Sequence, residues 1–376
     1  MPGIVSFADF ILATRDVKLT TQKEAINEAT KHTYFLSNML KGRDTSDVFR
    51  GGTKLVERVM ATDNGSFKFY QPGDEFNPTG VDTLKKIEVD WRFAMAHFVF
   101  YDEETELNSG DENAYLDLKR TYEQAAMTSN FNGMEDALWT APNAAGMETG
   151  GTGGTAAFSI PTFINENTNT IPNGFSTLMT VDPSVNPWWQ NQKSAYTAAN
   201  IADTTGGATS LLASLADMWL NIKFEKLQSA SQWFESDDLK KMFIATNKDG
   251  HKQMSMLLQR LNNRLTPNRD DPAYPDPMYN GYPIMYVSDL DTAPVFTGTG
   301  VLGASNTNGV ANVGYPRFYF ANLRYLYACY HSQRYLYPIV KDGGAKAPTA
   351  HVMFYNTWYN VVCRSRRRQG IVYPNA

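Results

Sequence analysis

The sequence predicts an α+β protein built around one long helix, with a two-stranded excursion before it and a smaller helix and strand unit after it. Apolar and charged residues alternate over residues 83–91, which is the pattern of a half-buried strand. An acidic step at 102–106 and a Ser-Gly-Asp-Glu capping box at 109–112 precede a run with helical apolar spacing. Aromatic, strand-like runs return at 317–331 and 352–368.

The composition is that of a globular protein with a substantial core. The chain has 376 residues, of which 42% are hydrophobic and 13% aromatic, so two or three domains are expected. There is no run of about 18 apolar residues and no basic and apolar signal peptide at the start, so we expect neither a membrane span nor export. The net charge of -5 argues against a protein whose main task is to grip nucleic-acid backbone.

Residues 1–50 are predicted to form an arm with one helix, which begins at Thr20 or Thr21 and stops at Gly42. Its apolar residues at helical spacing are Ala25, Ala29, Phe35, Leu36 and Met39. Residues 51–93 are predicted to form a two-stranded excursion, in which Asn64-Gly65 favours a hairpin turn between 55–60 and 67–70. An isolated ribbon is marginally stable in water, so we expect it to lie on another surface.

The long helix is predicted within residues 94–140. If it runs from Asp111 to Leu138 it is about 40 Å long at 1.5 Å per residue, with an apolar stripe interrupted at 130–133. The Gly/Thr/Asn-rich residues 141–175 are predicted to be a flexible loop, because they lack the Gly-Lys-Ser/Thr ending of a phosphate-binding loop. A compact unit should follow, with helices at 211–227 and 254–264 and strands at 240–250 and 282–290.

The residues that could carry chemistry favour a structural interpretation. The acidic cluster Asp102, Glu103, Glu104 and Glu106 could hold a cation or supply a general acid and base. It lacks EF-hand spacing, however, and acids are expected at the start of a helix, so a solvated helix start or an intersubunit ion pair is the better interpretation. The five histidines form no HExxH pair, and Cys329 and Cys363 are predicted to be buried thiols. No catalytic residue, metal or cofactor is predicted.

Two further features leave alternatives open. Trp188 and Trp189 after Asn-Pro are predicted to pack near the junction of two domains, whereas a sugar-stacking platform would need an exposed indole face. The basic run 364–368 is the one place where phosphate contact is plausible. Strand alternation would put its arginines on both faces, so salt bridges to the acids of a neighbouring molecule are the stronger interpretation.

The order of elements resembles the major capsid proteins of tailed double-stranded DNA bacteriophages. Trp91-Arg92-Phe93 leads through the acidic step into the long helix, and Trp188-Trp189-Gln190-Asn191 resembles the aromatic-aromatic-Arg/Gln-Asn element of that family. The stretch 322–326, and the basic run 364–368 followed by Gln369-Gly370, also resemble the part of the family's sequence in which the chain returns to the peripheral domain. The resemblance implies a Hong Kong 97-type fold with five parts: an N-terminal arm (1–50), an extended loop (51–93), a peripheral domain with a spine helix (94–140), a glycine-rich loop and axial domain (141–335), and a C-terminal return to the peripheral domain (336–376).

The resemblance also implies the function. Copies of the chain would assemble as hexamers and pentamers into an icosahedral shell that encloses double-stranded DNA without sequence-specific binding, in a virion built in the host cytoplasm. Since only residues 1–50 precede the ribbon, we expect a separate scaffolding protein, with a portal and decoration proteins as further partners. The ribbon cations are expected to face acids of an adjacent subunit. The cations are Lys54, Arg58, Lys85 and Lys86, and the acids are Glu103, Glu104 and Glu106.

Two other classes of protein fit the same residues. A tail or baseplate protein would share the β-rich, oligomer-forming composition. A glycan-active enzyme would use the acidic cluster and the aromatic residues as a sugar site.

Overall fold

The computed structural model describes residues 35–41, 48–49, 51–61, 67, 69, 71, 83–103, 118–140, 155–166, 177–197, 200–201, 207, 209–222, 242–261, 277–291, 316–342 and 349–375. The helices are α1 Phe35–Lys41, α2 Leu118–Trp139, α3 Ile160–Phe163, α4 Leu211–Ile222 and α5 Lys248–Leu261. The strands are β1 Val48–Phe49, β2 Lys54–Met60, β3 Leu84–Asp90, β4 Arg92–Tyr101, β5 Gln192–Thr197, β6 Met242–Thr246, β7 Met278–Tyr279, β8 Tyr282–Tyr286, β9 Phe318–Asn322, β10 Leu326–His331, β11 Tyr337–Asp342, β12 Ala350–Cys363 and β13 Gly370–Asn375. The predicted α+β class is confirmed.

A five-stranded sheet is organised around the long strand β12. Strand β4 pairs with one edge of β12, β10 and β11 follow one another along its other edge, and β1 lies beside β10. Helix α2 covers one face of this sheet, where Ala126 packs with Phe98 and Tyr355. The Asn130 amide donates to Thr357 Oγ1 at 3.3 Å within the same contact. The opposite face is therefore not covered by α2.

A six-stranded sheet has the order β5-β13-β9-β6-β8-β7 and separates two cores. Since side chains alternate along a strand, Phe318 and Phe320 of β9 face α4 and α5, whereas Tyr319 and Ala321 face the core shared with the end of α2. The helical residues in the first of these cores are Leu211, Leu215, Met218, Ile222, Met254 and Leu257. All five residues of β9 are buried, as expected for a central strand covered on both sides.

Helix α1 is fixed to the end of α2 by a buried carboxylate. Glu135 Oε1 accepts from the Phe35 backbone N–H at 3.0 Å, and Oε2 accepts from that of Leu36 at 2.9 Å. The Trp139 indole N–H donates to the same carboxylate at 3.0 Å. Burial raises the pKa of the Glu135 carboxyl, and the three donors satisfy the group whose desolvation is costly. The predicted part of this helix before Phe35 lies outside the described residues.

Helix boundaries differ from the predictions for local reasons. Helix α2 has 22 residues, about 33 Å, and continues through 130–133 because Asn130 is held inside by Thr357. The capping box and the predicted start at Asp111 lie outside the described residues. Helix α5 begins at Lys248, before the predicted 254, because Asn247 Oδ1 accepts from the Gly250 N–H at 2.9 Å and caps it.

The two-stranded excursion is present, but its pairing differs from the predicted hairpin. Strand β2 pairs antiparallel with β3, with Leu55 opposite Val89 and Glu57 opposite Ile87. Phe67 and Phe69 lie outside the strands and are exposed, so a hairpin between 55–60 and 67–70 is wrong. Strand β3 supplies two buried apolar residues, Ile87 and Val89, to the core, and this burial favours its pairing with β2. That turn itself lies outside the described residues.

The chain crosses between the two sheets at two turns. Strand β10, from the range 141–335, belongs to the five-stranded sheet together with β11 and β12 of the range 336–376. Strand β13, from the range 336–376, belongs to the six-stranded sheet together with β5–β9 of the range 141–335. The strand-like run 317–331 and the predicted β run 352–368 both break at these crossings. Asn322 Oδ1 accepts from the Arg324 N–H at 3.1 Å in the first turn, and Arg366–Arg368 form a 3-10 turn in the second.

Candidate assembly surfaces

The ribbon, defined here as β2 and β3, has a buried underside and an exposed outer face. On the underside, Leu55, Ile87 and Val89 belong to the main core. On the outer face, Met60 is 64% exposed and its cross-strand partner Leu84 is 51% exposed. Val56 is a third exposed apolar residue of this face. The ribbon thus presents exposed apolar residues on its outer face, with Met60 and Leu84 paired at the end opposite Lys54 and Asp90.

Two of the predicted ribbon cations have carboxylate partners within the ribbon. Lys54 Nζ lies 3.3 Å from Glu88 Oε2 and 3.8 Å from Asp90 Oδ1, and Lys86 pairs with the other oxygen of Glu88. The hydrogen bonds from Lys86 and Lys54 lower the pKa of the Glu88 carboxyl. Arg58 and Lys85 are exposed on the same ribbon.

The predicted acids lie at the far end of β4. Glu103 is exposed directly after this strand, and its neighbour Asp102 accepts from His351 Nε2 at 3.0 Å. Within the described part of the chain, Glu103 forms no ion pair with a ribbon cation. Glu104 and Glu106 lie outside the described residues. An ion pair between Glu103 and a ribbon cation would therefore involve a second subunit.

The uncovered face of the five-stranded sheet is apolar. Phe93 and Met95 of β4 are 63% and 61% exposed, because alternate residues of β4 point away from α2. Val99 continues the row, and Tyr337 of β11 shares the face, since Asn356 of β12 pairs with both Tyr337 and Met95. We call Phe93, Met95, Val99 and Tyr337 the outer sheet face. His97, which is also exposed, lies between Met95 and Val99 on this face. Exposed apolar residues grouped on one face mark interaction sites.

The two tryptophans occupy different environments. Trp189 is fully buried, and its indole N–H donates to the Leu178 carbonyl at 3.2 Å. Trp188 is half-buried, and its indole N–H donates to Asn186 Oδ1 at 3.2 Å. Because Trp189 has no exposed face, it cannot act as a sugar-stacking platform.

The most constrained residue of the basic run is Arg366, which sequence reasoning missed. Its guanidinium is fully buried and donates from Nε to the Phe163 carbonyl at 2.9 Å, from Nη1 to the Trp189 carbonyl at 2.9 Å and from Nη2 to Asn191 Oδ1 at 3.1 Å. Burial lowers its pKa to about 10, so the group stays charged at neutral pH. Arg366 is thus unavailable to DNA phosphate or to a neighbour's acid.

Other arginines of the run also contact their own subunit. Arg364 Nη2 lies 2.8 Å from Glu57 of the ribbon, and the Arg368 guanidinium lies over the ring of Tyr325 at 4.2 Å. The expected alternation of this run on a strand is wrong, because Arg366–Arg368 turn the chain between the sheets. A basic run resembles an exposed patch in sequence, and nothing in its pattern signals the buried member.

We expect Arg366→Lys to lower the free energy of unfolding by about 1–3 kcal/mol. Lysine keeps the charge but has a single donor centre instead of the planar fork, so at least one buried acceptor loses its partner. Chemical denaturation of the two proteins measures the difference. The adjacent, exposed Arg367→Lys is the matched control and should change stability by less than about 0.5 kcal/mol. Equal stability of the two variants would contradict the role of Arg366.

The described ranges contain neither a metal-binding cluster nor a membrane-spanning helix. No group of three His, Cys, Asp or Glu side chains there lies close enough to hold a metal ion. None of the helices in those ranges combines the length and apolarity needed to cross a membrane. Cys329 and Cys363 are buried free thiols, which confirms the sequence prediction.

Comparison with known proteins gives a match in structure alone. No family model and no curated protein sequence matches the chain. The cyanophage A-1(L) capsid asymmetric unit superposes with a TM-score of 0.56 at 13% identity, covering 94% of this chain and 97% of that one. The chain has the capsid fold. The capsid of the native GTA particle superposes with a TM-score of 0.52 at 10% identity, covering 95% of this chain and 96% of that one. The empty GTA particle capsid gives 0.52 at 10% identity, with 94% of each chain covered.

The capsid fold extends over nearly the whole chain and is not confined to one sheet. The resemblance drawn from the sequence is thereby confirmed at the level of fold. Within this capsid fold, the ribbon and the outer sheet face are two apolar surfaces that the described part of the subunit leaves exposed.

Proposed function

We propose that this protein is a structural capsid protein whose copies assemble into the closed icosahedral shell of a tailed phage, around double-stranded DNA. The observation that carries the proposal is the capsid fold over 94% of the chain, in a subunit that exposes two separate apolar surfaces. Two different surfaces that bind each other produce a heterologous contact, and such contacts close into rings when the rotation allows it. Hexamers and pentamers are rings of this kind.

The contact we propose places the ribbon of one subunit on the outer sheet face of the next. The outer face of the ribbon offers Val56, Met60 and Leu84, and the sheet offers an apolar row along β4. The ribbon cations would then approach the acids that follow β4, which no described contact brings together within one subunit. Exposed apolar area on both sides supplies the affinity, and the charges fix the register.

Further parts of the proposal concern partners. Residues 1–50 would form an arm on the body or on a neighbour, 51–93 the intersubunit loop, and the remaining parts the peripheral and axial domains. A separate scaffolding protein, a portal and decoration proteins would complete the particle in the host cytoplasm. DNA would be enclosed without sequence-specific contacts, in keeping with the acidic chain and with the burial of Arg366. No catalytic or cofactor role is proposed.

Negative-stain microscopy of the purified chain tests the proposal. Closed shells or capsomer rings are the expected result. Fibres or tubes without shells would instead favour a tail or baseplate protein. Small discrete oligomers that bind an oligosaccharide array would favour the glycan-active enzyme.

Charge reversal tests the register of the proposed contact. Glu103→Lys combined with Glu104→Lys should stop shell formation, because the ribbon cations would then meet like charges. A single exposed pair contributes only about 0–1 kcal/mol, but the contact repeats in every subunit of a shell. Adding Lys85→Glu and Lys86→Glu should restore part of the assembly, measured by sedimentation of shells. Normal assembly of the first double variant would show that the pairing is wrong.

A further inference from the structure

The ribbon is attached to the body by contacts at its base. The Trp91 indole N–H donates to the Gly52 carbonyl at 2.9 Å, and the Asn360 amide donates to the Asp90 carbonyl at 2.7 Å. Both contacts lie where the two strands leave the body, and they fix the position of the base. Leu55, Ile87 and Val89 also bury their side chains in the core and Val59 packs against it, so the direction of the ribbon depends on the contacts along its underside.

A third group of contacts lies farther out, on the underside. Glu57 Oε1 accepts from the Tyr327 hydroxyl at 3.1 Å and from Arg364 Nη2 at 2.8 Å. The Arg364 guanidinium also lies over the Tyr327 ring, 4.8 Å from its centre. Each of the three side chains therefore contacts the other two. We call Glu57, Tyr327 and Arg364 the ribbon clamp.

The body side of the ribbon clamp is rigid. Tyr327 is buried in β10 and Arg364 directly follows β12, so both are held by the five-stranded sheet. Burial and the nearby carboxylate raise the pKa of the Tyr327 hydroxyl, which therefore stays a donor to Glu57. Hydrogen bonds in which a partner is charged are shorter and stronger than neutral ones.

Because Glu57 lies partway along β2, the ribbon clamp affects the direction in which the ribbon leaves the body. On the neighbouring strand, the described hydrogen bonds to the loop at 178–181 are long: the Glu88 N–H donates to the Met179 carbonyl at 3.4 Å, and the Thr180 hydroxyl donates to the Lys86 carbonyl at 3.5 Å. Met60 lies three positions beyond Glu57, about 10 Å at strand spacing. A change in the angle of the ribbon at Glu57 would therefore displace Met60 and its cross-strand partner Leu84.

We propose that Glu57 is a positioning residue: through Tyr327 and Arg364 it sets the angle at which the ribbon leaves the body, so that the ribbon is already aimed at the neighbouring subunit before contact. This inference rests on the proposed function for its consequence, but not for its geometry. Pre-organisation of this kind raises the rate of assembly, because fewer encounters find the ribbon in a wrong direction.

The effect of Glu57 on the ribbon angle is tested by measuring the distribution of distances between two spin labels in the unassembled full-length chain. Spin labels are placed at Met60→Cys on the ribbon and Leu220→Cys on α4, both at exposed positions, while the native cysteines are buried. We expect one narrow distribution in the parent protein and a clearly broader one with Glu57→Ala or Arg364→Gln. The distribution for the double variant, Glu57→Ala with Arg364→Gln, should be no broader than that for either single variant, since the groups act as a unit.

The matched control is Glu88→Ala, on the outer face of the same ribbon. Glu88 pairs with Lys54 and Lys86 inside the ribbon, so its loss should leave the distribution narrow. The conservative Glu57→Gln keeps one oxygen acceptor and should give an intermediate width. A narrow distribution in both Glu57→Ala and Arg364→Gln would overturn the proposal.

The consequence is tested on unlabelled protein by light scattering during assembly. Glu57→Ala should slow shell formation by about tenfold or more, while the thermal melt of the body stays cooperative. A broad distribution together with shell formation at the parental rate would overturn the link between angle and assembly. If the parent protein forms no shells, the proposed function fails, and the distance comparison still decides whether Glu57 sets the angle.

Discussion

Deletion of residues 59–85, with Arg58 joined to Lys86 through an Asn-Gly turn, is expected to give a folded protein that forms no shells. Arg58 and Lys86 are opposite each other in the ribbon, so a two-residue turn can close the shortened hairpin. The deletion removes Met60 and Leu84, the most exposed apolar pair of the outer face. It leaves Leu55, Ile87 and Val89 in the core. Sedimentation and a thermal melt measure assembly and folding separately.

A wider deletion serves as the comparison. Removing 51–93 also takes Ile87, Val89 and Trp91 out of the core and Arg92 and Phe93 out of β4, so it should lower stability as well as assembly. The burial of the base of this segment in the core is the reason for the expected loss of stability. Shells formed by the shorter deletion would contradict the role of the ribbon as an intersubunit arm.

Trp189→Ala is expected to lower the free energy of unfolding by about 3–5 kcal/mol, the range found for buried aromatic residues. The indole is fully buried, and its removal leaves a cavity and deprives the Leu178 carbonyl of its donor. The backbone carbonyl of Trp189 also accepts from Arg366. The substitution should therefore also weaken the contact between α3 and the turn at Arg366–Arg368. Assembly should fall together with stability.

Trp188→Ala is the matched control for this prediction. Trp188 is half-buried next to Trp189, with ring centres 5.5 Å apart, so its truncation should cost less, about 1–2 kcal/mol. Denaturation curves of the two variants give the comparison. A Trp189→Ala variant that stays fully stable and forms shells, yet loses binding to an oligosaccharide, would support the enzyme alternative instead.

The parts of the fold that the sequence predicted are those with strong local patterns. The alternation in 83–91 identified β3, and the helical spacing after 109–112 identified α2, because one face of each is buried. The partner of β2 could not be predicted, since pairing depends on which strand completes the core and not on the nearest turn. The burial of Ile87 and Val89, which are distant in sequence from β2, favours the pairing with β3.

The candidate surfaces were less predictable than the fold. Exposure of Phe93 and Met95 depends on which face of β4 is covered by α2. The aromatic composition of the strand on its own would predict that these residues are buried. The environment of Arg366 depends on three acceptors from distant segments, which no spacing in the chain can reveal. The pairing of Glu57 with Arg364 joins residues far apart in sequence for the same reason.

Electron cryomicroscopy of the product that assembles from the purified chain tests the central claim most directly. The expected result is a closed shell in which Val56, Met60 and Leu84 of one subunit lie against Phe93, Met95 and Val99 of its neighbour. A discrete oligomer with the ribbon exposed to solvent, or a shell in which the ribbon contacts only its own subunit, would contradict it.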